Sequence, residues 1–177
     1  MPTPDPPWRQ IVICDASPLI FLAKVGVLDL IAQVIPGHQV VLGSVAREVL
    51  SERAGPVEME RLRRWMDSVE VIEYEGSLFP SSALSRNDQS TLAWAVNCHA
   101  DWLIADERLL RRFARDHGVN FIGFCGILAK AVERNFLESH EAQGLLDTAV
   151  DLHGLQISVA LYRRITEALS RRISSDK

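Results

Sequence analysis

Cysteine is scarce. The 177-residue chain has three, Cys14, Cys98 and Cys125, an odd number with no CxxC pair among them. That argues against a disulfide framework and a thiolate zinc site, and points to a reducing compartment, the cytoplasm. Also missing is any apolar run near the ~20 residues that cross a bilayer, so no membrane contact is expected. There is no excess of positive charge: the formal net charge is -4, which by itself offers nothing to a nucleic acid. Proline is sparse except at the start, where "MPTPDPPWRQ" holds four of the eight. Residues 1–8 therefore read as a disordered lead-in, and without an apolar centre they do not read as a signal peptide. Beyond them there is no internal repeat and no low-complexity segment. The histidines, His38, His99, His117, His140 and His153, fall where turns or helix ends are expected, so none stands out as a general base.

What is present is an ordinary globular composition, 47% hydrophobic and 24% charged, in a length that suits one domain better than two. Residues 9–177 are read as that domain. The run Ile11–Cys14 reads as a buried strand. It is followed by a helical stretch, "SPLIFLAKVGVLDLIAQVI", in which Ser17 can N-cap and Pro18 suits the first helical position. "PGHQVVL" predicts a turn and a strand, and Ser44 is expected to cap "VAREVLSER". A charged helix over 57–67 carries Leu62, Trp65 and Met66 on one side. "VEVIEY" alternates as an edge strand would, and Ser85 opens a helix over 86–98. "WLIAD" is a strand ending on an acid, "ERLLRRFARDHG" a helix stopped by Gly118, and "VNFIG" a further strand. Helices over 125–135, 139–151 and 158–172 complete the chain. Strands alternating with helices imply an α/β sandwich around a mostly parallel sheet, with helices on both faces.

Basic residues are clustered despite the net charge: "RLRR" at 61–64, "RLLRR" at 108–112, Arg163-Arg164 and Arg171-Arg172. Such runs are usually solvated helix faces. The sharper reading is that one of them meets a phosphate backbone.

The acids fall in a pattern. In an open parallel sheet, function collects outside the carboxyl ends of the strands. Asp15 ends the first strand and Asp106 ends "WLIAD", so both point toward one crevice. Asp88 lies in the first turn of the preceding helix, and Glu48 in the helix after the second strand. Each has a plainer explanation: Asp106 as an N-cap, Asp88 as the partner of Ser85 in a capping box, Glu48 as a solvated helix residue. Asp15 is the exception, because Ser17 already supplies the cap it would make. Carboxylates gathered this closely repel one another, and a hard divalent cation such as Mg²⁺ or Mn²⁺ relieves the repulsion. Such an ion lowers the pKa of bound water and stabilises phosphoryl charge, which suggests phosphodiester hydrolysis.

"IVICDASPLIFLAKVG" resembles the opening of PIN-domain proteins, and "VVLGSVAREVL" their second strand and acid-bearing helix. "LSRNDQSTLAWAV" with "ADWLIADERLLRRFARDHGVNFIG" resembles the other acidic half of their site. The tail "LLDTAVDLHGLQISVALYRRITEAL" is similar to the ending of a bacterial and archaeal PIN-like subfamily. The resemblance implies a flavodoxin-like three-layer sandwich with a central parallel sheet and C-terminal helices. It implies an acidic Mg²⁺ or Mn²⁺ site on Asp15, Glu48, Asp88 and Asp106, supported by Ser17, and the cleavage of RNA. Many bacterial members, the VapC type, are toxins held by an antitoxin protein, so an antitoxin partner and a homodimer are expected. Leu62, Trp65 and Met66, with the first helix, are candidates for the apolar docking face. Three positions depart from the family pattern: Ala105, Ser90 and Phe124. Lost supporting groups weaken metal sites, and the alternative reading is a PIN-like module that binds nucleic acid or protein without cutting. A phosphotransfer domain fits less well: Ser17 stands where a dehalogenase-type site needs a second acid, and no lysine follows Asp106 before Gly126.

Overall fold

Ile11–Cys14 (β1) has no polar residue to turn toward water, which is what a strand covered on both faces requires. Val12, Ile13 and Cys14 are fully buried. The computed structural model describes residues 10–51 and 55–170. β1 pairs in parallel with His38–Leu42 (β2) on one side and Trp102–Ile104 (β4) on the other. Glu70–Ile72 (β3) lies beyond β2 and Asn120–Ile122 (β5) beyond β4, so the order is β3-β2-β1-β4-β5, parallel throughout. β3 is an outer strand, as its alternation predicts, with Val71 exposed.

Nine helices are present among the described residues: Ala16–Val25 (α1), Leu30–Val34 (α2), Gly43–Val49 (α3), Pro56–Met66 (α4), Arg86–Asn97 (α5), Arg108–Asp116 (α6), Phe124–Glu133 (α7), Ser139–Asp151 (α8) and Val159–Ser170 (α9). α1 packs against α3, α4, α7 and α8, while α5 packs against α6. The result is the expected α/β architecture, a parallel sheet flanked by helices. The C-terminal helices belong to the same core: Leu128, Leu146 and Ile165 are buried in one cluster with Val12, Val41 and Leu103. The lead-in over 1–8 and the last two positions of the helix expected over 158–172 lie outside the described residues.

Several local expectations are corrected. The stretch after Asp15 is two helices, because Gly26 adopts a left-handed conformation (φ 80°) and stops α1. Arg61 on α4 donates to the carbonyl of Ala23 at that end (2.8 Å), which also accepts from the Gly26 N–H (3.2 Å). Ser17 is not the N-cap. Asp15 holds that position, and Pro18 still falls in the first turn, where no helical hydrogen bond is lost. Ser44 does not cap α3 either: β2 runs straight into the helix, so the cap position falls on Leu42. Residues 52 and 53 of the longer helix expected there lie outside the described ones. Leu62 and Trp65 are 1% and 5% exposed, packed into the core, so they are not an exposed docking face. The apolar stripe of α4 is spent on α1.

Candidate active site

The chain runs outward from β1 to β2 and β3, then returns to β4 on the opposite side of β1. The crevice for a ligand in such a sheet opens at that reversal, above the carboxyl ends of β1 and β4. Asp15 is the residue after β1. Its backbone is extended, its N–H donates to Ile104 O (2.9 Å), and it is 5% exposed. Burial pushes its carboxyl up to about 7, and the charge of Asp88 adds to the rise. The Ala16 N–H pulls the other way, and Glu48 and Asp106 add smaller repulsions.

Asp106 follows β4 across Ala105, whose N–H donates to Ile122 O (2.9 Å) and prolongs the pairing with β5. Oδ1 of Asp106 accepts from Phe124 N–H (2.9 Å), at the first turn of α7. Oδ2 is buried and has no partner. Burial raises the Asp106 carboxyl as well, opposed by the Phe124 N–H and the positive charge of Arg111. Gly123 makes this seat: a Cβ there would run into Asp106 Oδ1.

Glu48, exposed on α3, accepts from Asn87 Nδ2 (2.6 Å). Asp88 forms a capping box with Ser85: Ser85 N–H donates to Asp88 Oδ2 (3.2 Å), and Asp88 N–H to Ser85 Oγ (3.1 Å). The cap and the site are therefore both roles of Asp88, since all four acids line one pocket of about 520 Å³. Ser17 lines it too, but among the described residues its hydroxyl makes no hydrogen bond to Asp15. No histidine lines the pocket.

Three features escaped sequence reasoning. Asn87 orients Glu48 from a position 39 residues away. Glu107 lines the pocket while its side chain caps α6, accepting from Leu109 N–H (2.9 Å). The loop after α8, Gly154 to Gln156, walls the far side, held by Leu155 N–H on Ala149 O (2.9 Å). The left-handed Gly154 (φ 71°) was the one legible signal of that turn. The departures also look different in three dimensions. Phe124 is fully buried against Phe21 (ring centroids 6.0 Å) and serves Asp106 through its backbone, which any residue could supply. Ser90 spends its hydroxyl on Arg86 O (3.0 Å), so α5 contributes one acid where the family pattern has two.

A family model described as a PIN domain (DUF3368) matches residues 11–171. The chain belongs to the PIN-domain family. A solved PilT N-terminus domain protein from the hyperthermophilic archaeon Sulfolobus solfataricus P2 is similar in structure, with a TM-score of 0.53 and 15% identity. The likeness covers 70% of this chain and 95% of that one, and supports the PIN-like fold. No curated protein matches the sequence. A PIN domain is a nuclease-type fold, and PIN domains typically use divalent metal ions. Among the described residues, no three acids, histidines or cysteines already converge as a closed ligand cluster. The donor set fits a hard cation even so: carboxylates on four elements face one pocket, and one buried carboxylate oxygen lacks any partner. Among the described residues, no helix is long and apolar enough to cross a membrane.

Proposed function

We propose that this PIN domain is a metal-dependent endoribonuclease that hydrolyses phosphodiester bonds of RNA. The observation that carries the reading is the meeting of Asp15, Glu48, Asp88 and Asp106 in one pocket above the carboxyl ends of β1 and β4. Mg²⁺ or Mn²⁺ would be held by these four carboxylates, and when bound it supplies an activated water and stabilises charge on the phosphoryl group. The chain's own residues prepare the site. Asp15 and Asp106 sit on strand ends tied by the Asp15–Ile104 hydrogen bond, so their separation is set by the sheet. Asn87 fixes the orientation of Glu48, and Ser85 that of Asp88. Purified protein should cut RNA with Mn²⁺ and stop with EDTA. Asp15→Asn and Asp106→Asn should abolish cleavage with unchanged circular dichroism. A parental rate in Asp15→Asn overturns the assignment.

The same reading extends, through the family resemblance, to a toxin role in the cytoplasm, an antitoxin protein partner and a homodimer. Growth arrest on expression, relieved by the product of an adjacent small reading frame, supports the toxin role; sedimentation equilibrium reads the dimer. The open ligand cluster favours one rival, a PIN-like module that binds nucleic acid or protein without cutting. Equal RNA binding with and without Mn²⁺, and no cleavage, would establish it.

A further inference from the structure

Beside the acidic pocket lies a second cavity of about 520 Å³, and its lining is of the opposite sign: Arg108, Arg111, Arg112 and Arg115 with Phe121. The four arginines stand at i, i+3, i+4 and i+7 on α6, one stripe of the helix, while Leu110 and Ala114 face the core. Like charges at this spacing repel. Among the described residues, the one ion pair of these four is Arg115 with its neighbour Asp116, at 4.0 Å. Arg111 is half-buried, its Nε is buried without a partner, and its guanidinium lies 5.8 Å from the centre of the Phe121 ring. A protein of net charge -4 thus concentrates four arginines, three of them outside any ion pair among the described residues, in one concavity.

We propose that this arginine cavity binds the phosphodiester backbone of single-stranded RNA next to the bond that is cut. The proposal rests on the ribonuclease reading for its substrate. Three observations select this ligand. The stripe spans about 10 Å of helix, more than one phosphate needs. Phe121 offers a ring on which a base can stack, a contact an acidic peptide would not use. The two pockets meet at the start of α6: Glu107 lines the acidic one and the next residue, Arg108, the basic one, and Arg111 interacts electrostatically with Asp106. A strand whose scissile phosphate lies at the acids has its neighbouring phosphates over α6.

The test is fluorescence anisotropy with a short labelled oligouridylate and the full chain in EDTA, across a salt series. The parent is compared with Arg108→Ala/Arg112→Ala, two exposed positions. The double variant should bind roughly tenfold more weakly, and its log Kd against log salt should lose about 1.4 of slope, ~0.7 per phosphate contact removed. Its Mn²⁺-induced rise in melting temperature should equal that of the parent, because the acids are untouched. Unchanged affinity and slope overturn the proposal even if the protein cleaves RNA. Arginine-dependent binding by a protein that cuts nothing upholds the cavity and overturns the ribonuclease reading instead. Polyglutamate displacing the RNA as well as unlabelled RNA of equal charge does would overturn the proposal in favour of an acidic protein partner.

Discussion

At the residue scale, Asp15 is where sequence, burial and chemistry conflict most. A carboxyl that titrates near 3.8 when free and at about 7 in the fold binds a proton in the folded state that the unfolded chain has already lost. The stability that Asp15 contributes is therefore fully present below about pH 4 and is lost as pH rises through 7, by something on the order of a few kcal/mol. In EDTA the melting temperature should drop between about pH 5 and pH 8, and Asp15→Asn should flatten that drop. An equal drop in the variant would mean that another group is responsible. Gly123 poses a steric problem of the same kind. Gly123→Ala would push its Cβ into Asp106 Oδ1 and close on Ala105 O. The expected cost is about 1–3 kcal/mol in urea denaturation, as for other overpacked sites, together with loss of RNA cleavage.

At the scale of elements, α5 and α4 show how one residue serves two purposes and how an apolar stripe is used up. Asp88 closes the capping box of α5 and faces the acidic pocket. Asp88→Asn keeps an oxygen for the cap and removes the charge, so it should raise the melting temperature in EDTA and shrink the gain from Mn²⁺. Asp88→Ala also loses the cap and should melt lower than Asp88→Asn, by about 1 kcal/mol in stability. If both variants melt alike, the cap contributes nothing. On α4, Leu62 is buried against α1. Leu62→Ala should cost about 2–5 kcal/mol and leave the sedimentation coefficient of the folded protein unchanged. A lost dimer without lost stability would return Leu62 to an interface role.

For the whole molecule, the metal couples to the fold through mass action. A cation at ~100 times its dissociation constant adds about 2.7 kcal/mol if it binds the native state alone. The parent at about pH 8 should therefore melt roughly 5–10 °C higher with Mn²⁺ than with EDTA. Neutralising Asp15 and Asp106 together should erase that difference. A metal-independent melting temperature in the parent would leave the four acids as structural residues. The charge layout is also a property of the whole: an acidic pocket and an arginine cavity adjoin at the start of α6, although the net charge of -4 hints at neither.

Local physics made the elements legible. Ile11–Cys14 has no polar side to expose, Gly118 ends α6, and the alternation of strand and helix admits few arrangements other than a parallel sheet. The four acids could be picked out because they end strands or open helices, positions with fixed meaning in such a sheet. Tertiary structure decided what depends on distance through space. It gave Asp15 the cap position expected of Ser17, and turned Leu62 and Trp65 inward. It buried Phe124 while leaving its N–H on Asp106, and brought Asn87 to Glu48 and the Gly154 loop to the pocket wall. The reason is one of range. Periodicity and capping act over three or four residues, whereas burial, carboxylate repulsion and an unpartnered Oδ2 arise only where segments remote in the chain share a few ångströms of space.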